Sequence, residues 1–175
     1  MEAEQVQWAS QLREIPIRFR QALRTEDDRA IRHHPAMGEW SAIEVLGHMI
    51  DKMALWSSRI ERIWQEERPS LPDYDQDAGV HDQGYQQADP AVLCEHLEHR
   101  CERFAALVAA LPASALQREG VHGVFGPMTI RQCVQAAVES APEHLAQLCA
   151  AQEAALAFRT ERTIPGTAQM REWQD

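Results

Sequence analysis

From Ser41 to about Glu66 the chain places Leu46, Met49, Ile50, Met53, Trp56, Ile60, Ile63 and Trp64 largely at steps of three and four residues. That spacing lines one broad face of an α-helix and does not match the period of two of a half-buried strand. The start of this helix is written into the sequence. Ser41 is suited to accept a hydrogen bond from an orphaned backbone N–H, and Glu44, three residues on, completes a capping box. Trp40 before the cap and Val45 four residues after it can close a hydrophobic staple. At ~1.5 Å per residue the helix is roughly 35–40 Å long, the length of a bundle helix.

Three more helices follow from the same periodicity. Trp8, Leu12, Ile15, Phe19 and Leu23 predict one from about Glu2 to Leu23, with Pro16 expected to kink or interrupt it. Asp89-Pro90 is a start signal for another, with Leu93, Leu97, Cys101, Phe104, Val108 and Leu111 facing inward. Thr129 and Gln132 form a capping box for the last, which turns Ile130, Val134, Ala137, Ala141, Leu145 and Leu148 inward and is expected to fade near Ala157. Cys133, Ala137, Ser140, His144 and Leu148 form an adjoining stripe on it.

The segments between them read as connections. Thr25–Glu39 is polar, and its adjacent His33 and His34 do not share a helix face, so they read as an exposed loop rather than a metal pair. Glu67–Asp89 has no periodicity and many turn residues, as a connection crossing over a bundle would. Tyr74, His81 and Tyr85 within it could cover a pocket, but read first as loop surface. His96 and His99 have a spacing that can bind a metal, but without a third ligand nearby they read as a solvated face. Pro112–Pro127 is irregular, and no alternating strand pattern with hairpin turns stands out. The expected architecture is an all-α four-helix bundle over residues 1–157, with a long crossover loop between the second and third helices and a polar tail over 158–175.

The chain has 175 residues, 45% hydrophobic and 25% charged, enough to bury one core. Its formal net charge of −10 argues against nucleic-acid binding, which rests on clustered Lys and Arg. Lys52 is the only lysine. No apolar run reaches the ~20 residues of a membrane span. The N-terminal residues lack the features of a signal peptide, so a cytoplasmic location is expected. The cysteines at 94, 101, 133 and 149 contain no C-x-x-C and read as small buried apolar side chains in a reducing compartment.

Two motifs carry a resemblance. Trp40 to Asp51 reads W-S-x-x-E-x-L-x-H-x-x-D, and Gly126 to Gln147 places Gly126, Thr129, His144, Leu145 and Gln147 at matching spacings. In order and spacing these resemble the DinB-like (YfiT-like) superfamily from about Leu12 to Ala150. The resemblance implies a four-helix bundle of DinB/YfiT type. It also implies a divalent metal, zinc or nickel, held by a histidine of the second helix and an H-x-x-x-H pair of the fourth. Carried over, the ligands are His48 and His144, with Ser140 where the remaining histidine is expected. Asp51 is the candidate third ligand, or the group that orients His48. Glu139 and Glu143 should point away from Ser140 and His144. Pro142 interrupts the helix beside this position, and Ser140-Ala141-Pro142-Glu143 reads as a capping box, so the helix is expected to break and restart with Ser140 as cap.

The resemblance implies a metal-dependent transferase acting on a low-molecular-weight thiol, or a metal-dependent hydrolase. Ser140 and Pro142 favour an alternative: a non-catalytic small-molecule-binding or interaction protein that has lost the metal. A homodimer is expected from the family's habit. No independent catalytic motif is present.

Overall fold

The computed structural model describes residues 2–24, 27–71 and 73–163. The helices are α1 (Ala3–Ala22), α2 (Asp28–Arg32), α3 (Ala42–Gln65), α4 (Gln76–Asp82), α5 (Pro90–Ala110), α6 (Ile130–Glu139) and α7 (Ala141–Thr163). α1, α3, α5 and the α6–α7 pair form a four-helix bundle around a core that includes Leu12, Phe19, Leu46, Met49, Met53 and Phe104. The expected caps form. The Ser41 N–H donates to Glu44 Oε2 at 2.8 Å, Asp89 accepts from the Ala91 N–H at 2.8 Å, and Thr129 forms its capping box with Gln132.

Polar ties at the helix ends set the directions. Gln5, near the start of α1, donates from Nε2 to the carbonyls of Val108 and Leu111 at 2.9 and 2.8 Å. Arg20, near its other end, pairs with Glu98 at 2.9 Å, so α1 and α5 are antiparallel. Arg131 pairs with Glu4, and Gln152 donates to the Ala22 carbonyl at 3.1 Å, so α6–α7 runs parallel to α1. Gln86, just before α5, donates to Ser41 Oγ at 3.0 Å. Further along, Met53, Ser57 and Glu61 of α3 line one groove with Arg100 and Arg103 of α5, so these two helices are parallel.

Because α3 and α5 point the same way, the chain leaving Gln65 must travel back along the bundle before Pro90. That return is structured: it holds β1 (Ser70–Leu71), α4 and a 3₁₀ turn at Tyr85–Gln87. Tyr85 is only 8% exposed, against the reading of it as loop surface. Its ring fills the space that Gly47 leaves open on α3, where a Cβ would lie 2.2 Å from the ring. Which glycine a loop aromatic covers is a tertiary fact that sequence spacing does not encode.

Other expectations are also corrected. Pro16 lies inside an uninterrupted α1. The connector after α1 contains α2, capped by Asp27, which accepts from the Ala30 N–H at 3.2 Å. A three-stranded sheet is present, with β2 (Glu119–His122) parallel to β1 and antiparallel to β3 (Gly126–Thr129). Strands of two to four residues are too short to show an alternating pattern, and Pro127 is tolerated because β3 is an edge strand. α7 continues past Ala157 to Thr163, and the rest of the tail, 164–175, lies outside the described residues. Among the described residues no helix is long and apolar enough to cross a membrane.

The Gly47–Tyr85 contact gives a stability test. Gly47→Ala should destabilise the fold by about 1–2 kcal/mol in urea unfolding, with overpacking outweighing the helix-propensity gain of about 1 kcal/mol. Gly123→Ala, where nothing lies within 4 Å of the added Cβ, should change stability by less than about 0.5 kcal/mol.

Candidate functional site

The capping box at Ser41 fixes where α3 begins, and so fixes the directions of His48, Asp51 and Lys52. His48 and Lys52 are one turn apart and lie on the face that α7 covers. The His48 ring is 2% exposed. It lies 4.7 Å from the Trp40 ring and 4.8 Å from the His144 ring, the latter edge-on at 72°. Neither His48 nitrogen has a hydrogen-bond partner. Burial, with help from the nearby His144 and Lys52, pushes its pKa down to about 3, so the ring is neutral at pH 7.

His144 is half-buried and held at both nitrogens. Lys52 Nζ lies 2.9 Å from Nε2 and Gln147 Oε1 lies 3.3 Å from Nδ1. A lysine ammonium has donors only, so it donates to the Nε2 lone pair, which leaves the proton on Nδ1 facing the Gln147 oxygen. Burial and then Lys52 lower the His144 pKa, against Gln147 and Glu143. Burial also lowers the Lys52 pKa, against Glu143.

The other expected ligands are engaged elsewhere. Asp51 accepts from the Tyr85 hydroxyl at 2.7 Å and the Tyr74 hydroxyl at 3.3 Å, so its carboxylate is tied to the returning connection. Burial raises its pKa, with those two hydrogen bonds and Arg100 opposing. Ser140 ends α6 in helical geometry, φ −78° and ψ −18°. Its hydroxyl donates back to the Ala137 carbonyl at 3.0 Å. The helix thus breaks at Ser140 as expected, but Ser140 closes α6 rather than capping α7. Pro142 falls in the first turn of α7, where its missing N–H costs little.

The fit to a resident divalent metal can be judged from this donor set. Two imidazoles meet, and one of them has an ammonium on its lone pair. Asp51 and Ser140 are directed elsewhere. Among the described residues no group of three or more His, Cys, Asp or Glu side chains could hold a metal ion. The residues present do not fit the zinc or nickel centre that the resemblance implies.

What the site does have is a cavity of about 470 Å³. His48, Lys52, Trp56, Arg59, Phe125 and Met128 are among its walls. The Arg59 guanidinium lies over the Trp56 ring, 4.8 Å from its centroid. His122, also at the wall, is 3% exposed and accepts from the backbone N–H groups of Val124 and Phe125 at 3.1 and 3.4 Å. Sequence reasoning missed Lys52, Arg59 and His122. Lys52 had a signal, being the only lysine and four residues after His48. His122 had none, because the hairpin that carries it was not legible.

The sequence model of the DinB superfamily matches residues 11–148. Among solved structures the chain is similar to YfiT from Bacillus subtilis, described as a probable metal-dependent hydrolase with an unusual four-helix bundle topology. The two are 22% identical, with a TM-score of 0.79 over 87% of this chain and 89% of that one. No curated protein matches significantly.

The buried neutral His48 makes stability pH-dependent. The fold lowers its pKa from 6.5 to about 3, so the unfolded chain binds the proton first as pH falls. Its contribution is complete above pH 6.5 and is lost as pH drops toward 3. Between pH 7 and pH 5 this is worth about 2 kcal/mol. Urea unfolding of wild type and His48→Gln across this range should show a shallower pH dependence in the variant.

Proposed function

The chain belongs to the DinB superfamily, and we propose that it works without a resident metal, as a non-catalytic protein binding a small molecule in the cavity beside His48. The observation that carries this reading is the 2.9 Å contact between Lys52 Nζ and His144 Nε2. It puts a positive charge on the lone pair that a metal would need. Asp51, held by Tyr74 and Tyr85, and Ser140, turned back on Ala137, supply no replacement ligand. The cavity is within the ~300–1,000 Å³ range of small-molecule sites. A buried polar group without a partner costs about 1–3 kcal/mol, which a ligand bonding to His48 would recover.

A second reading, a metal-dependent hydrolase or thiol transferase, is supported by the facing rings of His48 and His144 and by the description of YfiT. It requires Lys52 to leave His144 and a third ligand to come from outside the set described above.

Metal analysis of protein purified without an affinity tag decides between them. The expected result is substoichiometric metal, with no stable uptake from added zinc or nickel. Stoichiometric metal that is lost in both His48→Ala and His144→Ala would overturn the metal-free reading. The double variant Lys52→Ala, Ser140→His, which removes the charge and supplies a third imidazole, should gain zinc binding.

A further inference from the structure

We infer that the cavity takes a small organic acid, its carboxylate seated on the Lys52 ammonium and the His48 N–H and its apolar body against Trp56, Leu55 and Met128. The inference deepens the binding reading above and rests on it.

Lys52 is the first support. Lys52 is half-buried, and a lysine drawn partly out of water favours a carboxylate partner. Lys52 lies in the cavity wall, and among the described residues it forms no ion pair. Its hydrogen bond goes to the neutral imidazole of His144, which leaves two of its three donors for another partner. The nearest influences of opposite sign do not satisfy it. Glu143 acts on it only at a distance, and Asp51 is held by two tyrosines. Asp73, the carboxylate in the cavity wall, acts on Arg59 and His122.

His48 is the second and independent support. It is 2% exposed, lines the same cavity and has no partner at either nitrogen. A neutral imidazole offers one N–H donor, which a carboxylate oxygen accepts. The Lys52 ammonium is the open point of the seat; the His48 nitrogens are covered in this structure, and the imidazole N–H one helical turn away completes the seat when the ring turns toward the cavity. His122 adds nothing to this seat, because its Nδ1 already accepts from the hairpin backbone.

The walls define the rest of the ligand. Leu55, Trp56, Phe125, Met128 and Ala136 give the cavity a mainly apolar lining. An inorganic anion would leave that surface in contact with water, whereas an aryl or alkyl chain would cover it. The chain as a whole has a formal charge of −10, so any anion that binds is attracted by this local seat rather than by the overall field.

The test is isothermal titration of the full-length protein in excess EDTA. The probes are a series of carboxylates from phenylacetate to octanoate, each beside its neutral amide. At least one carboxylate should bind about tenfold or more tightly than its amide, the scale of a charge-assisted hydrogen bond. Lys52→Met should lose that preference and Lys52→Arg should keep it, with circular dichroism confirming that both variants fold. Equal binding of acid and amide, or a preference that survives in Lys52→Met, overturns the acid class and leaves the binding reading standing. No binding by any member of the series overturns the inference. Binding that appears only when zinc replaces EDTA overturns the metal-free reading itself.

Discussion

The parallel packing of α3 and α5 is the constraint on which the site depends. Two neighbouring helices that point the same way cannot be joined by a short turn. The chain must return along ~36 Å of helix, which needs at least about eleven extended residues. Here the return brings Tyr74 and Tyr85 onto α3, where their hydroxyls bind Asp51. It also places β1 beside β2, and the turn after β2 carries Phe125 to the cavity. One topological requirement therefore supplies part of the cavity wall and ties the Asp51 carboxylate to the returning connection.

The bundle was legible because its signals are local and repeated. The stripes of α1, α3 and α5, the Ser41–Glu44 and Thr129–Gln132 boxes and the Asp89-Pro90 start each follow from a few neighbouring residues, and each forms. The pairing of His48 with His144 was implied by the family resemblance, and the two rings lie 4.8 Å apart. What escaped was non-local. The sheet joins segments some fifty residues apart through very short strands. The burial of Tyr85 depends on Gly47. The expectation that Asp51 stands with His48 used helix spacing alone, and spacing three apart says nothing of which neighbouring element claims the carboxylate.

The break at Ser140 shows the same division. Pro142 announces an interruption, and the interruption occurs. Its detail follows from backbone geometry. Ser140 stays in the helical region, so its hydroxyl reaches the carbonyl one turn behind it and closes the preceding helix. An N-cap would require extended backbone there. With its hydroxyl turned back along α6, Ser140 does not aim a donor atom at His48 and His144.

Lys52 and the departures at 140 and 142 are physically consistent with one another. A divalent ion and an ammonium ~4 Å apart repel by about 8 kcal/mol at an effective dielectric of 20, twice the figure for two unit charges. The lone pair of His144 Nε2 can therefore serve one cation or the other. With three imidazoles or a free carboxylate, the balance would favour the metal, whose bonds to several ligands outweigh a single hydrogen bond. On the proposed reading, Ser140 supplies no imidazole and the two tyrosines hold Asp51, so an ammonium is the charge best matched to this donor set. The exchange also alters what the pocket can recognise. A metal would offer open coordination positions, whereas Lys52 offers hydrogen-bond donors with a fixed charge. If the proposed binding holds, such a pocket would discriminate by the ligand's charge and by its fit to Trp56 and Met128 rather than by Lewis basicity.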